Sequence, residues 1–124
     1  MPVLIARDAI VHELHGSRFS SYVAPSAGST ELCAWRLEVP PGTSGVAHTV
    51  SREEVLLVLG GTVQVHLDGV EARADIDDVV HVPAGSTLRL DNNAAATAVA
   101  WVTTTVGFEA VLADGSRITP PWTR

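Results

Sequence analysis

Apolar and polar residues alternate along most of this 124-residue chain, and residues that favour turns separate the alternating stretches at short intervals. The clearest stretch is Cys33–Val39, in which every second side chain is a large apolar one or cysteine. A period of two places these side chains on one face of a β-strand. Pro40-Pro41-Gly42 ends the stretch, because proline cannot donate a hydrogen bond to a sheet.

The same alternation predicts β-strands over most of the sequence. The predicted strands are Arg18–Val23, Cys33–Val39, Val55–Leu59, Val63–Leu67, Asp77–Val82, Thr87–Leu90 and Ala98–Val106. Gly60-Gly61 and Asp68-Gly69 are typical of tight turns between strands. Short strands spaced roughly eight to twelve residues apart predict an all-β sandwich or barrel. No linker, repeat or low-complexity segment divides the chain, so we predict a single domain over residues 1–124.

Composition limits the partners that this chain can bind. It is 46% hydrophobic and 18% charged, which suits one domain that buries a core without disulfides. The formal net charge of −6, with only eight Lys and Arg, argues against nucleic acid and anionic membranes as partners. The sequence has no run of about eighteen apolar residues and no secretory signal pattern. We therefore expect a cytoplasmic protein.

Glycine, histidine and glutamate follow a characteristic spacing between residues 42 and 61. The chain has Gly42, His48, Glu54 and Gly61 in the order and at the distances of the first cupin motif. That motif has a second histidine two positions after the first, and Val50 stands there in this chain. The segment thus has the spacing of a metal-site motif from which one ligand is missing.

A second patterned segment covers residues 77–92. Pro83, Gly85 and Asn92 match the second cupin motif, whereas Asp77 replaces its first glycine and Leu88 replaces its histidine. Proline at the entry to a turn, glycine at a sharp turn and asparagine bonded to nearby backbone are all residues that shape loops. These positions support the fold even where the metal ligands are absent.

Together the two segments resemble the cupin superfamily, and in particular small RmlC-like cupins with a degenerate metal site. The resemblance implies an all-β double-stranded β-helix, the jelly-roll barrel of cupins, with a ligand or metal pocket inside it. It also implies a homodimer, and we expect residues 1–24 to contribute to the dimer contacts.

Three histidines and one glutamate bind a divalent metal such as Fe, Mn, Zn or Ni in the superfamily. Here the match leaves only His48 and Glu54, and mononuclear catalytic metals usually take about three protein ligands. His66 and His81 are the candidates for replacing the lost ligands, but strand alternation turns both of them away from the barrel interior. We therefore expect no cofactor. A metal held by His48, Glu54 and either His66 or His81 is the alternative.

His48 and Glu54 also have chemistry of their own. Histidine has an ordinary pKa of about 6.5, and burial in an apolar barrel raises the pKa of a carboxyl group. The pair therefore suits a metal-independent isomerase, cyclase or lyase that binds a small organic molecule. The alternatives are a binding or sensing module without catalysis and a metal-dependent dioxygenase or isomerase with nonstandard ligands. In a purely structural role, His48 is instead a core histidine with Glu54 as its hydrogen-bond partner.

Further residues are candidates for the walls of the pocket. Trp35 and Trp101 either line it or fill the core, and Tyr22 either projects into it or lies on a polar face. Val50 and Leu88 occupy the positions of the missing ligands, so we predict that they contact the bound molecule. Two residues outside the motifs complete the expectations: Trp122 is predicted to cover an edge or the mouth of the barrel, and His15 is predicted to be a surface histidine.

Overall fold

The computed structural model describes residues 3–124 and consists of two antiparallel six-stranded sheets. The strands are β1 (Ile10–Leu14), β2 (Ser17–Val23), β3 (Leu32–Val39), β4 (His48–Val50), β5 (Glu54–Gly60), β6 (Val63–Leu67), β7 (Val70–Ala74), β8 (Val79–Val82), β9 (Thr87–Asp91), β10 (Ala98–Thr105), β11 (Ala110–Leu112) and β12 (Arg117–Ile118). Single 3₁₀ turns occur at Ala6–Asp8, Pro25–Ala27 and Pro121–Thr123.

The order of the strands shows how the chain passes between the sheets. The first sheet has the order β1-β2-β3-β10-β5-β8, and the second has the order β12-β11-β4-β9-β6-β7. Sequence neighbours such as β4 and β5 lie in different sheets, so the chain crosses repeatedly from one sheet to the other. The predicted all-β double-sheet architecture is confirmed. None of the helical turns within residues 3–124 is long and apolar enough to cross a membrane.

The core lies between the two sheets and follows from the alternation of each strand. On β3 the side chains of Cys33, Trp35, Leu37 and Val39 are all buried, as their period of two predicts. They join one hydrophobic cluster with residues from the second sheet, including Val65 of β6. Burial of this shared inner face is what holds the two sheets together.

The N-terminal part of the chain belongs to the first sheet. Residues of β1 pair with β2 of the same chain, from Ile10 opposite Ser21 to Leu14 opposite Ser17. Met1 and Pro2, which complete the segment 1–24 expected at a dimer contact, lie outside the described residues. One edge of β1 is thus occupied within the chain itself, and the homodimer stays a prediction.

One motif glycine shows why its position excludes other residues. Gly61 has a φ of +64°, which is a left-handed conformation that side chains disfavour. A Cβ atom at this position would also lie 2.5 Å from the carbonyl oxygen of Thr97. The turn after β5 therefore requires glycine for both its conformation and its packing, in agreement with the role predicted for it.

Candidate functional site

A cavity of about 120 Å³ opens between the two sheets at one end of the barrel. Its walls are mainly apolar and come from both sheets. Of the residues predicted for the site, Trp35, His48, Glu54 and Leu88 line this cavity. His48 and Leu88 are direct neighbours across β4 and β9, whereas Trp35 and Glu54 belong to the opposite sheet. The fold thus brings three of the four positions that correspond to metal ligands in cupins around one space.

Glu54 is the buried acid of the cavity. It begins β5, is only 4% exposed, and sits between Val82 of β8 and Thr104 of β10. Its carboxyl group has no hydrogen-bond donor among residues 3–124, and burial raises its pKa from 4.5 to about 8. The Glu54 carboxyl therefore keeps its proton at neutral pH, and its O–H is available to a bound molecule.

His48 lines the cavity from the second sheet. It begins β4, and its Nδ1 lies 3.0 Å from the carbonyl oxygen of Val46. A carbonyl oxygen only accepts, so Nδ1 carries the proton of the neutral ring and Nε2 keeps its lone pair. Burial lowers the pKa of His48 below 6.5, and this effect outweighs the hydrogen bond to Val46, which acts in the opposite direction. His48 is therefore neutral at pH 7, with Nε2 able to take a proton.

The two groups share the cavity without contacting each other. In the described part of the chain, neither a hydrogen bond nor an ion pair joins His48 to Glu54, and desolvation is the cause of the raised pKa of Glu54. The arrangement in which Glu54 is simply the hydrogen-bond partner of a core histidine is therefore absent. The protonated carboxyl group of Glu54 and the neutral imidazole of His48 thus line the same cavity.

His66 and His81, the proposed replacement ligands, do not line the cavity. His66 lies between two carboxylates, with Nε2 2.9 Å from Asp91 and Nδ1 3.3 Å from Glu71. His81 is exposed, and its Nε2 lies 3.4 Å from Glu53. The outward orientation that strand alternation predicts for both histidines is confirmed.

The donor set does not fit the metal site that the resemblance implies. The positions of the second and third histidines hold Val50 and Leu88, which offer no ligand atom and are at most 1% exposed. No group of three or more His, Cys, Asp or Glu side chains suited to a metal occurs in the described residues. His48 and Glu54 alone fall short of the three protein ligands that are usual.

Comparison with known proteins identifies the family. A family model described as the cupin domain matches residues 35–105, which is more than half of the chain. The chain belongs to this cupin family. A search of curated proteins finds no match to this cupin.

Solved structures share the fold of this cupin at low sequence identity. The polyketide cyclase RemF from Streptomyces resistomycificus is 16% identical with a TM-score of 0.77, and the match covers 85% of this chain and 79% of that one. A cupin-superfamily sugar phosphate isomerase from Silicibacter pomeroyi is 15% identical with a TM-score of 0.72, covering 98% and 95%. A predicted oxalate decarboxylase from Thermotoga maritima is 15% identical with a TM-score of 0.73, covering 83% and 97%. These similarities establish the cupin jelly roll.

Three residues predicted to contact a ligand lie elsewhere in this cupin. Tyr22 and Trp101 do not line the cavity and instead pack edge to face, with their ring centroids 5.2 Å apart. Trp101 lies on the opposite face of the sheet from the cavity, because its neighbour Val102 takes the inward position on β10. Val50 points inward but is completely buried in the core next to the cavity, which it does not line. In the structure these three side chains therefore do not form the wall of the cavity.

His15 and Trp122 complete the cavity of this cupin. His15 is exposed, as predicted for a surface histidine, yet it lines the cavity together with the exposed Val46, so the two mark the opening to solvent. Its φ of +51° places it in the tight β1–β2 turn. Trp122 is buried against Phe19, with the rings stacked 3.6 Å apart at 5°. No motif pointed to His15, because its position depends on how the hairpin packs over the barrel.

The opening is also shaped by the loop before His48. The N–H of Gly45 donates to Oδ1 of Asp91 at 2.7 Å, and the same carboxylate accepts from Arg89 and His66 at 2.9 Å each. Partial burial raises the pKa of Asp91, but these three hydrogen bonds outweigh it and hold the pKa below its usual value. Gly45 itself lines the cavity, so this network fixes one side of the opening.

Replacing Gly45 with alanine is expected to lower the free energy of unfolding by about 2 kcal/mol, because the added methyl group overpacks the loop against β9. A Cβ at Gly45 would overlap the carbonyl oxygen of Leu90. Urea denaturation of Gly45→Ala measures the loss. Gly60→Ala is the matched control, since a Cβ at that position meets only the side chain of Val99 at 3.6 Å. An equal loss in both variants would contradict the prediction.

Proposed function

We propose that this cupin binds a small organic molecule in its cavity and catalyses a metal-independent proton transfer of the isomerase, cyclase or lyase type. The observation that supports this most directly is the pair of opposite protonation states on one cavity. Glu54 keeps its proton up to a pKa of about 8, and the pKa of His48 lies below 6.5, so both are in their reactive form at neutral pH. A general acid and a general base with pKa values near the working pH are the most effective.

The proposed step is the enolisation of a carbonyl compound. Nε2 of His48 removes a proton from the carbon next to the carbonyl, and the carboxyl O–H of Glu54 donates its proton to the carbonyl oxygen. The C–H electron pair becomes the C=C bond of the enol, His48 becomes an imidazolium, and Glu54 becomes a carboxylate. In an α-hydroxy carbonyl compound, the His48 imidazolium returns its proton to the former carbonyl carbon, and Glu54 regains a proton from the other hydroxyl group, which completes an isomerisation. In a cyclisation the enol carbon attacks a second carbonyl of the same molecule, the oxygen of that carbonyl takes the proton from His48, and the enol O–H returns its proton to Glu54. His48 is then neutral and Glu54 is protonated again.

The similar structures are consistent with this class of reaction without deciding it. Two of them are a polyketide cyclase and a sugar phosphate isomerase. Their identities of 16% and 15% support the fold alone. The proposal therefore depends on His48, Glu54 and the cavity that they line.

Proton exchange with solvent tests the proposal without knowledge of the product. The protein is incubated in D₂O with acetophenone, cyclohexanone, pyruvate and fructose 6-phosphate, and loss of the proton next to each carbonyl is followed by NMR. We expect exchange of at least one probe faster than in buffer, and a loss of about a hundredfold or more in both Glu54→Gln and His48→Gln.

The exposed pair Glu53 and His81 provides a matched control. Nε2 of His81 lies 3.4 Å from Oε2 of Glu53, and both residues lie outside the cavity. Glu53→Gln and His81→Gln should therefore leave the exchange rate unchanged. Exchange that is no faster than in buffer for every probe, or that survives in Glu54→Gln and His48→Gln, overturns the proposal. Binding of a probe without exchange would instead support a binding or sensing module.

A further inference from the structure

Aromatic side chains form a large part of the cavity wall. Phe19, Trp35, Phe108 and Trp122 all line the cavity, and each belongs to the apolar interior of the barrel or packs against it. Phe19 and Trp122 present their rings as a stacked pair, with an interplanar angle of only 5°. Flat rigid walls of this kind favour a flat ring in the cavity beside them, because offset and edge-to-face packing of aromatic rings adds to the gain from burial.

The cavity wall carries no permanent positive charge among the described residues. Its titratable residues are His15, His48 and Glu54, and neither lysine nor arginine contributes to it among the described residues. Glu54 would repel a bound carboxylate or phosphate whenever it lost its proton. An anion moved from water into such apolar surroundings without a charged partner loses several kcal/mol of hydration. The wall therefore favours an uncharged ligand.

The indole N–H of Trp35 is a buried donor without an acceptor. Trp35 is 4% exposed and lines the cavity, and its Nε1 is the one fully buried side-chain nitrogen or oxygen in residues 3–124 that forms no hydrogen bond. Leaving such a donor unpaired costs about 1–3 kcal/mol, and buried polar groups in native proteins are nearly always satisfied. Because Nε1 has almost no accessible surface, an oxygen atom of a bound molecule reaches it after a small shift of the indole ring, and that hydrogen bond would remove this cost.

From these features we infer that the ligand is a neutral, flat ring compound with a carbonyl group, and that the indole N–H of Trp35 donates a hydrogen bond to an oxygen of that compound. The cavity of about 120 Å³ is close to the roughly 150 Å³ that holds a benzene molecule in other proteins. One six-membered ring therefore fits inside, and larger substituents extend past His15 and Val46. This inference rests on the proposed function for the site, and it narrows the substrate to one chemical class.

Three probes of nearly equal shape separate the parts of this inference. Acetophenone has the ring and the carbonyl oxygen, α-methylstyrene replaces that oxygen with a CH₂ group, and benzoate carries a negative charge. We expect acetophenone to bind at least about tenfold more tightly than α-methylstyrene, because α-methylstyrene cannot accept a hydrogen bond from the indole N–H of Trp35 or from the carboxyl group of Glu54. We expect benzoate to bind more weakly than acetophenone by about tenfold or more, because its charge has no partner in the cavity.

Each probe is titrated into ¹⁵N-labelled protein, and the three tryptophans give three indole N–H signals. The Trp35 signal, assigned through Trp35→Phe, should shift downfield with acetophenone and not with α-methylstyrene. Trp35→Phe should weaken the binding of acetophenone about tenfold more than it weakens the binding of α-methylstyrene, because only acetophenone accepts a hydrogen bond from the indole. Trp101→Phe is the control, since Trp101 does not line the cavity.

If benzoate bound as tightly as acetophenone, the inference that the ligand is uncharged would be overturned. If the Trp35 indole signal did not shift at saturating acetophenone, the inferred hydrogen bond from Trp35 would be overturned. Failure of acetophenone and α-methylstyrene to bind at all overturns the ring compound. Binding is measured without turnover, so the two proposals fail separately. A protein that binds acetophenone but exchanges no proton contradicts only the proposed function, and one that exchanges pyruvate but binds no acetophenone contradicts only the ligand class.

Discussion

Glu54→Gln is expected to remove a loss of stability that the unmodified protein undergoes as the pH rises from 4.5 to about 8. In the unfolded chain the Glu54 carboxyl ionises near its ordinary pKa of 4.5, whereas in the folded barrel burial raises that pKa to about 8. Between these two values the folded state holds a proton that the unfolded state has lost. Stability therefore falls as the pH rises through this window.

The size of the effect follows from the difference between the two pKa values. Each pKa unit corresponds to about 1.4 kcal/mol, so the full window corresponds to about 5 kcal/mol of unfolding free energy. Glutamine has nearly the same shape and does not ionise. The variant should therefore match the unmodified protein near pH 4.5 and exceed its stability by several kcal/mol at pH 9.

Urea denaturation at a series of pH values measures this difference. Glu53→Gln is the control, because Glu53 is the exposed neighbour of Glu54 and lies outside the cavity. The control variant should keep the slope of the unmodified protein between pH 4.5 and 8. Parallel curves for Glu54→Gln and the unmodified protein would show that Glu54 ionises freely in the folded state. Such a result would also remove the acid from the proposed reaction.

The part of the fold that could be predicted from sequence is the part fixed by local backbone demands and by alternation. On β3 only one face is strongly apolar, and the side chains of Cys33, Trp35, Leu37 and Val39 turn inward as predicted. Gly61 occupies a conformation and a space that only glycine tolerates. Strand alternation and turn conformation depend on a few neighbouring residues, so they can be recognised without knowledge of the tertiary structure.

The orientation of Trp101 could not be deduced in this way. On β10 both faces are largely apolar, and the inward positions hold small or medium side chains such as Ala100 and Val102. The size of the tryptophan ring favours an interior position, yet the register of β10 turns it outward between Arg36 of β3 and Leu57 of β5. Alternation gives no answer where both faces are apolar.

The remaining errors concern features that depend on distant parts of the chain. Pairing between β2 and β3 shifts between Ser21 and Val23, and such an irregularity changes which face Tyr22 occupies. His15 reaches the cavity only because the β1–β2 hairpin lies at its opening. That His48, Glu54 and Leu88 lie around one cavity could be predicted from the spacing of the motifs. No local sequence pattern indicates that His15 also lines this cavity.

Asn92→Ala is expected to lower the free energy of unfolding by about 3 kcal/mol, because it leaves one buried and two partly buried backbone groups without their side-chain partner. Asn92 is 1% exposed. Its Nδ2 donates to the carbonyl oxygens of Val39 at 2.8 Å and Ala96 at 2.9 Å, and its Oδ1 accepts from the N–H of Ala94 at 3.0 Å. The side chain therefore joins the end of β3 to the turn before β10, which extends the role in a local turn predicted from sequence.

Two further variants separate this network from a general effect of changing the turn. Asn93→Ala alters the exposed neighbouring residue and should change stability by less than about 0.5 kcal/mol. Asn92→Asp keeps an acceptor for Ala94 but turns an oxygen towards the carbonyl groups of Val39 and Ala96, so its loss should equal or exceed that of Asn92→Ala. Urea denaturation of the three variants gives the comparison. If Asn92→Asp were as stable as the unmodified protein, the two hydrogen bonds donated by Nδ2 would contribute nothing, and packing alone would account for the asparagine in this motif.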